Sequence, residues 1–289
     1  FERSGEGWLD RGALPHPVDP GDWVMGDSIA LSNDTMVIGH SALNAEVGGG
    51  HVFRRSGGTW TYSHRLVPSD GNDGNYEAAP SDPDAWGDWA GTAVAMSGAT
   101  IALGAPNHDA GAQQAGAVYL FDDPAYGQAS IDLSEQQEIV PSDPEARGSI
   151  GSNVAMDGDV MVVAAPRAGI GSAAAGTGAA IVYRLSSGSW SEEAVLTAGA
   201  DAFVGQGFAD AWARTVGVAG DTIVVGASQD NDHGTHSGAA YVFTYAGGAW
   251  SSTPQKLTAG DLGAYDRFGM NVAISADEST ILVGAPFSG

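Results

Sequence analysis

The chain has 289 residues, 43 of them glycine and none cysteine, and 35 acids against 11 bases give a formal charge of −24. A phosphate backbone needs a basic face, so this balance argues against a nucleic-acid partner; the missing thiols exclude disulfides, thiolate metal sites and a cysteine nucleophile. No run of about 18 apolar residues offers a membrane span in this chain, and a hydrophobic content of 43% is enough for a sizeable core.

The opening Phe1-Glu2-Arg3-Ser4 has no initiator Met and no basic-then-apolar leader, so the chain is expected to be a processed product or a piece of a longer one. One pattern then recurs. Ile29-Ala30-Leu31, Val94-Ala95-Met96, Val154-Ala155-Met156, Val216-Gly217-Val218 and Val272-Ala273-Ile274 each precede a short polar turn, such as Ser97-Gly98-Ala99-Thr100 or Asp157-Gly158-Asp159. After each turn comes a second apolar run, ending at Gly39, Gly104, Ala164, Gly226 or Gly284. Two such runs around a Gly/Asp turn predict a β-hairpin. Gly-rich stretches lead next into Val52-Phe53 and into 117–121, 180–183 and 240–243. A tryptophan follows seven residues after Phe53, Tyr183 and Phe243, at Trp60, Trp190 and Trp250. A fourth segment ends at Leu66, Ile139, Leu196 or Leu257.

Spacings of 65, 60, 62 and 58 residues from Gly39 onward, with four antiparallel strands (A to D) per unit, match propeller blades. The sequence therefore predicts an all-β fold, a single β-propeller over 1–289 with four-stranded antiparallel blades near 22–86, 87–146, 147–208 and 209–265. Phe1 to Trp8 repeats the seven-residue step. Residues 266–289 and 1–21 are accordingly expected to share a fifth blade, whose closure would hide the edge strands. A piece of a seven-bladed parent is the alternative.

Asp266-Arg267-Phe268-Gly269, Val272-Ala273-Ile274 and Gly284-Ala285-Pro286 resemble the FG-GAP repeat family, which includes the β-propeller of integrin α subunits and many bacterial secreted or surface proteins. The stretches 221–227 and 238–243 are similar to the bacterial form of the repeat, and the resemblance covers almost the whole chain. It implies a propeller at the cell surface or outside the cell, with a binding or adhesive role and no catalysis. Only the last unit keeps Phe-Gly; the others read Met25-Gly26, Ala90-Gly91, Ile150-Gly151 and Trp212-Ala213. Integrin-type calcium loops lie between strands A and B, and the turns here are too short to supply the six to eight oxygens calcium takes.

With strands alternating in direction, the D–A and B–C loops share one face. The unusual residues collect there, on long connections of the kind that often carry function. Rings stack on sugar C–H faces and carboxylates accept hydroxyl hydrogens, which makes Tyr76, Trp86, Asp88, Trp89, Asp210 and Trp212 the candidate ligand-binding residues. The competing reading has Trp89 and Trp212 occupying or flanking the family's Phe position and filling space between blades. Asp230-Asn231-Asp232-His233-Gly234 alternates Asp and bends at Gly in the style of a calcium loop, without the distant Glu of an EF-hand. Asp230, Asp232 and His233, with Asp70 and Asp73 of the earlier loop, are the candidate Ca2+ ligands. Their alternative role is to cap their own turns. No cofactor is required, and no hydrolase elbow, metalloprotease helix or phosphate loop assigns a catalytic residue.

The expected function is a non-enzymatic extracellular or cell-surface binding and adhesion propeller that recognises a glycan or a protein through its D–A/B–C face. Further domains or copies in an extracellular assembly are expected partners. The alternatives are a structural subunit of a surface layer, filament or appendage, and a polysaccharide-active hydrolase or lyase.

Overall fold

The computed structural model describes residues 2–5, 7–10, 12–14, 26–43, 47–71, 87–123, 135–168, 178–198 and 215–288. β1 (Glu2–Ser4) and β2 (Gly7–Leu9) form a hairpin. Four antiparallel sheets follow, each made of consecutive strands. The first holds β3 (Ile29–Ser32), β4 (Thr35–Gly39), β5 (Gly50–Ser56) and β6 (Thr59–Leu66). The second holds β7 (Ala93–Ser97), β8 (Thr100–Ala105), β9 (Ala117–Asp122) and β10 (Gln137–Ile139). The third holds β11 (Val154–Asp157), β12 (Val160–Ala165), β13 (Ala179–Ser186) and β14 (Ser189–Leu196). The fourth holds β15 (Val216–Ala219), β16 (Thr222–Ala227) and β17 (Ala239–Ala246), its outer edge divided into β18 (Ala249–Trp250) and β19 (Gln255–Leu257). β20 (Asn271–Ile274) and β21 (Ile281–Gly284) make a last hairpin.

The first strands β3, β7, β11, β15 and β20 lie side by side in chain order, as the inner strands of propeller blades do. Among the described residues the two terminal hairpins, expected to share one blade, stand in separate two-stranded sheets. In the four sheets the A–B turns are two residues long, as at 98–99 between Ser97 and Thr100 and at 220–221 between Ala219 and Thr222, while the last hairpin turns over 275–280. The C–D turns at 57–58, 187–188 and 247–248 are equally tight, and at the first and last both residues are glycines at positive φ, the backbone of a primed hairpin turn; in the second sheet the C–D connection is longer, from Asp122 to Gln137.

The cores lie between blades. Along β12, Met161, Val163 and Ala165 pack with the second blade, while Val160, Val162 and Ala164 pack with the fourth. Successive side chains of a strand point to opposite faces, so covering both faces makes the B strand an unbroken apolar run. A blade without a following neighbour shows the converse: Leu282 is 68% exposed, whereas its counterparts Ala102, Val162 and Val224 are at 0%. The recurring tryptophans belong to this packing. Trp190 and Trp250 are buried opposite Leu185 and Tyr245, and the Trp250 indole donates to Glu193 of the preceding blade at 2.9 Å.

Neighbouring blades are tied by backbone. Gly48, Gly116 and Gly238, each just before a C strand, form isolated parallel bridges with Ala90, Ile150 and Phe268 at the head of the next blade. At the second of these, Ile150 N donates to Ala115 O at 2.9 Å. Gly116 has φ +86, and a Cβ there would lie 2.2 Å from the Ile150 carbonyl oxygen. Only glycine tolerates both conditions.

Gly116→Ala is therefore expected to lower the unfolding free energy by at least about 3 kcal/mol, against about 1 kcal/mol for an alanine at Gly158. The Gly158 turn shares the positive φ but has nothing within 4 Å of a Cβ. Urea unfolding of the two variants checks the difference.

Candidate functional site

The B–C loops of all four sheets start with the same backbone bond. The amide N of Leu43, His108, Ala168 and Asp230 donates to the carbonyl of His40, Ala105, Ala165 and Ala227, at 3.1–3.3 Å. The carbonyl of each then accepts from Gly48, Gly116, Gly178 or Gly238 at 2.9–3.0 Å. These four residues are structurally equivalent. So are the pairs on the C and D strands below them: His51 with Arg65, Tyr119 with Glu138, Ile181 with Val195, and Tyr241 with Lys256. Each blade thus fills one three-residue position with different chemistry.

In the fourth blade the position is Asp230, Tyr241 and Lys256. Asp230 is 1% exposed; its carboxylate accepts from the Tyr241 hydroxyl at 3.0 Å and lies 2.7 Å from Lys256 Nζ. The same ammonium meets Asp232 and stands 5.5 Å from the centre of the Tyr241 ring. Burial opposes the charge of Lys256, but its bonds to Asp230 and Asp232 outweigh that and hold its pKa above the ordinary lysine value. Burial, then the Asp230 charge, raises the Tyr241 phenol, which stays a donor. The loop also caps itself: the Asp232 amide donates to Asp230 and the His236 amide to the Asn231 side chain, at 3.0 and 2.6 Å. His233 is exposed, and its amide donates to Ser237 Oγ at 3.2 Å. Two of the candidate metal ligands here, Asp230 and Asp232, hold the chain's single lysine.

In the second blade the position is His108, Tyr119 and Glu138, so a carboxylate stands where the fourth blade has an ammonium. Asp70 joins it from the preceding connection, beside Ser69, whose amide donates to Glu135 at 3.0 Å. His108 Nδ1 lies 3.0 Å from a carboxylate oxygen of Asp88 and 3.2 Å from the Tyr119 hydroxyl; Nε2 lies 3.3 Å from Glu138. Asp88 is 1% exposed, so its carboxylate orients the imidazole from beneath. Burial lowers the His108 pKa, but the bond to Asp88 and its charge outweigh it, and the net shift is upward. Burial, then the neighbouring Asp70 charge, pushes the Glu138 carboxyl up. The Tyr119 phenol is raised by burial and then by Asp70 and Asp88.

Trp89 is half-buried, with φ +57. Ser149 and Arg267, at the same place in other units, both have φ +55, so this left-handed residue belongs to the repeat and not to a specialised site. Tyr76, Trp86, Asp210, Trp212 and Asp73 lie outside the described residues. On the same face Tyr265 is 59% exposed; its ring meets His236 edge-on, with centroids 5.8 Å apart at 85°, and its amide donates to Thr235 O at 2.7 Å. Sequence reasoning passed over His108, Glu138 and Lys256 as site residues. Their signal was the reversal of charge opposite two tyrosines in the same phase of the repeat.

The FG-GAP repeat profile matches residues 79–121, 133–183, 190–243 and 250–289. These matches take in more than half of the chain, which belongs to the FG-GAP repeat family. Three of the four begin on or before the D strand of one blade and run on into the next, so the family's unit spans the junction between blades. Among solved structures, the computationally designed Ika4 protein is similar at 13% identity and a TM-score of 0.42, over 81% of this chain and 96% of that one. No curated protein matches the chain.

Lys256→Met leaves Asp230 buried beside a neutral side chain and is expected to destabilise the protein by about 3 kcal/mol. Adding Asp230→Asn recovers at least about 1 kcal/mol of that loss. Urea unfolding of all four members of the cycle measures the coupling.

Proposed function

We propose that this FG-GAP propeller is a non-enzymatic binding or adhesion module of the cell surface or extracellular space. Its ligand, a glycan in the first instance and otherwise a protein, docks on the face formed by the D–A and B–C loops. FG-GAP repeats are typical of extracellular and surface proteins, and the family is generally non-enzymatic. Among the described residues no helix is long and apolar enough to cross a membrane.

The observation that carries the reading is the exposed Tyr265 ring of a D–A connection, braced by His236 of a B–C loop on which Asp232 and His233 are also exposed. An aromatic plane beside hydrogen-bonding side chains suits a sugar: the ring covers the C–H face while carboxylate and imidazole engage hydroxyls. Trp86 and Trp212, candidates from the sequence that lie outside the described residues, belong to the same proposal.

A second reading, as a subunit of a surface assembly, is favoured by one observation. Ile29 and Leu31 are 61% and 64% exposed, and Leu282 is 68% exposed, on strand faces that neighbouring blades cover elsewhere in the protein. A second copy of the chain would cover both.

Glycan-array binding of the protein and of Tyr265→Ala, Trp86→Ala and Trp212→Ala tests the first reading. Loss of about tenfold or more in affinity is expected for at least one variant, whereas unchanged binding by all three removes this face. For the assembly reading, sedimentation velocity is expected to show concentration-dependent association that Leu282→Asp abolishes; a monomer at all concentrations overturns it.

A further inference from the structure

We infer that Asp70, His108 and Glu138 form a binding site for one first-row transition-metal dication of the Zn2+ type, on the loop face of the second blade. The donor atoms of these three side chains all lie within 4.8 Å of one another. Tetrahedral ligands held at about 2.0–2.2 Å are about 3.5 Å apart, so an ion draws these donors together by up to about 1.3 Å. Small torsions of the exposed Asp70 and the partly exposed Glu138 close the difference.

The first argument is the state of the imidazole. Nδ1 faces the buried Asp88 carboxylate, an acceptor, at 3.0 Å, which places the ring proton on Nδ1. In the neutral ring Nε2 carries the lone pair, and it points towards Glu138 at 3.3 Å with Asp70 alongside. Three Lewis bases converge on one point. A buried carboxylate behind the far nitrogen of a metal-binding histidine is the usual outer support that fixes tautomer and ring direction. Asp88 is here a positioning residue.

The second argument is independent and comes from the fourth blade. There the equivalent position contains a cation, the Lys256 ammonium, held by Asp230 and Asp232 over Tyr241. The second blade keeps the tyrosine but has His108 in place of Asp230 and Glu138 in place of Lys256, with Asp70 and Asp88 alongside, so the same place holds more carboxylates and no ammonium. In the third blade Ala168, Ile181 and Val195 occupy it, and the fold therefore does not require charged groups there. The donor set selects the ion. One imidazole with carboxylates and open sides for water suits Zn2+, Mn2+ or Fe2+; calcium prefers six to eight oxygens. The site differs in place and in ligands from a calcium loop between strands A and B, since it joins a D–A connection, a B–C loop and a D strand.

Isothermal titration of the metal-free protein with Zn2+ tests the assignment, with Ca2+ and Mg2+ as comparisons. One Zn2+ per chain is expected, bound at least about tenfold more weakly by Glu138→Gln. Glu138→Lys imports the fourth-blade arrangement and is expected to fold, to melt no lower than the parent protein, and to lose the Zn2+ altogether. His233→Ala with His236→Ala is expected to leave binding unchanged. Absence of stoichiometric Zn2+ binding by the parent, or equal binding by Glu138→Lys, overturns the proposal. So does an NMR signature of a His108 ring that keeps both N–H protons in saturating Zn2+, because a protonated imidazole then replaces the metal. None of these variants enters the glycan-array test, so the two readings fail separately.

Discussion

Backbone meets backbone at glycine at three of the blade junctions, Gly48 with Ala90, Gly116 with Ile150 and Gly238 with Phe268, and the rest of the architecture depends on that approach. A blade whose B strand is apolar on both faces has no stable existence alone; it needs a neighbour on each side. The neighbour comes close enough only if three segments meet without side chains between them: the end of a B strand, the start of the C strand that follows it, and the turn entering the next blade. At the junction of the second and third blades, a Cβ on Gly104 would lie 1.9 Å from Gly151 O, and one on Gly151 would lie 2.4 Å from Ala117 O. The family motif is the sequence trace of this three-way contact. Its aromatic position is filled by Ala90 and Ile150 in two blades and by Phe268 in the last unit, while Gly91, Gly151 and Gly269 persist beside it. Backbone proximity sets the glycine; the side chain beside it only has to fill space.

The same clasp delivers the functional face. Because the residue before each clasp bonds back across the B–C loop, every loop begins in the same conformation, and one position on its inner side is presented in each blade. The fold is indifferent to what stands there. The third blade fills it with apolar side chains, the fourth with an internal ion pair, and the second with a histidine among acids. Chemistry in this protein is found where the repeat is broken, and the repeat supplies the reference against which a break is visible.

Strand pairs, blade length and the tryptophan phase were legible in the sequence because each is local. Period-two alternation and a two-residue turn mark a hairpin, and the seven-residue step to Trp190 or Trp250 follows from a short C–D hairpin. The site was only partly legible. Asp70, Asp88 and Asp230 stood out as acids in loops, but their partners are remote: Lys256 lies on the D strand while Asp230 lies in the B–C loop, and His108 is reached from Asp70 across a blade junction. Burial also changed the meaning of some acids. Asp88 and Asp230, read as groups open to a ligand, are each 1% exposed and support their neighbours. The periodic pattern reports which residues face inward, not which of them meet in the loops.

The net charge connects these observations. With one lysine among 289 residues, the acids have few fixed counter-charges. Arg54 meets Asp123, Arg55 meets Asp34, and Arg184 bridges Asp159 and Glu193. Elsewhere hydroxyl and amide donors serve: the Ser275 and Ser279 hydroxyls and the Ser279 amide hold the exposed Asp277 at a pKa of about 2. Such donors stabilise one carboxylate each. Where Asp70, Asp88 and Glu138 converge, the counter-charge within the chain is a single imidazole, whose pKa Asp88 holds above the ordinary histidine value against the opposing effect of burial. Carboxylates placed this close on a partly buried surface repel one another unless a cation stands among them. The fourth blade meets that requirement with its own lysine; the second, by the same electrostatic argument, draws its cation from solution.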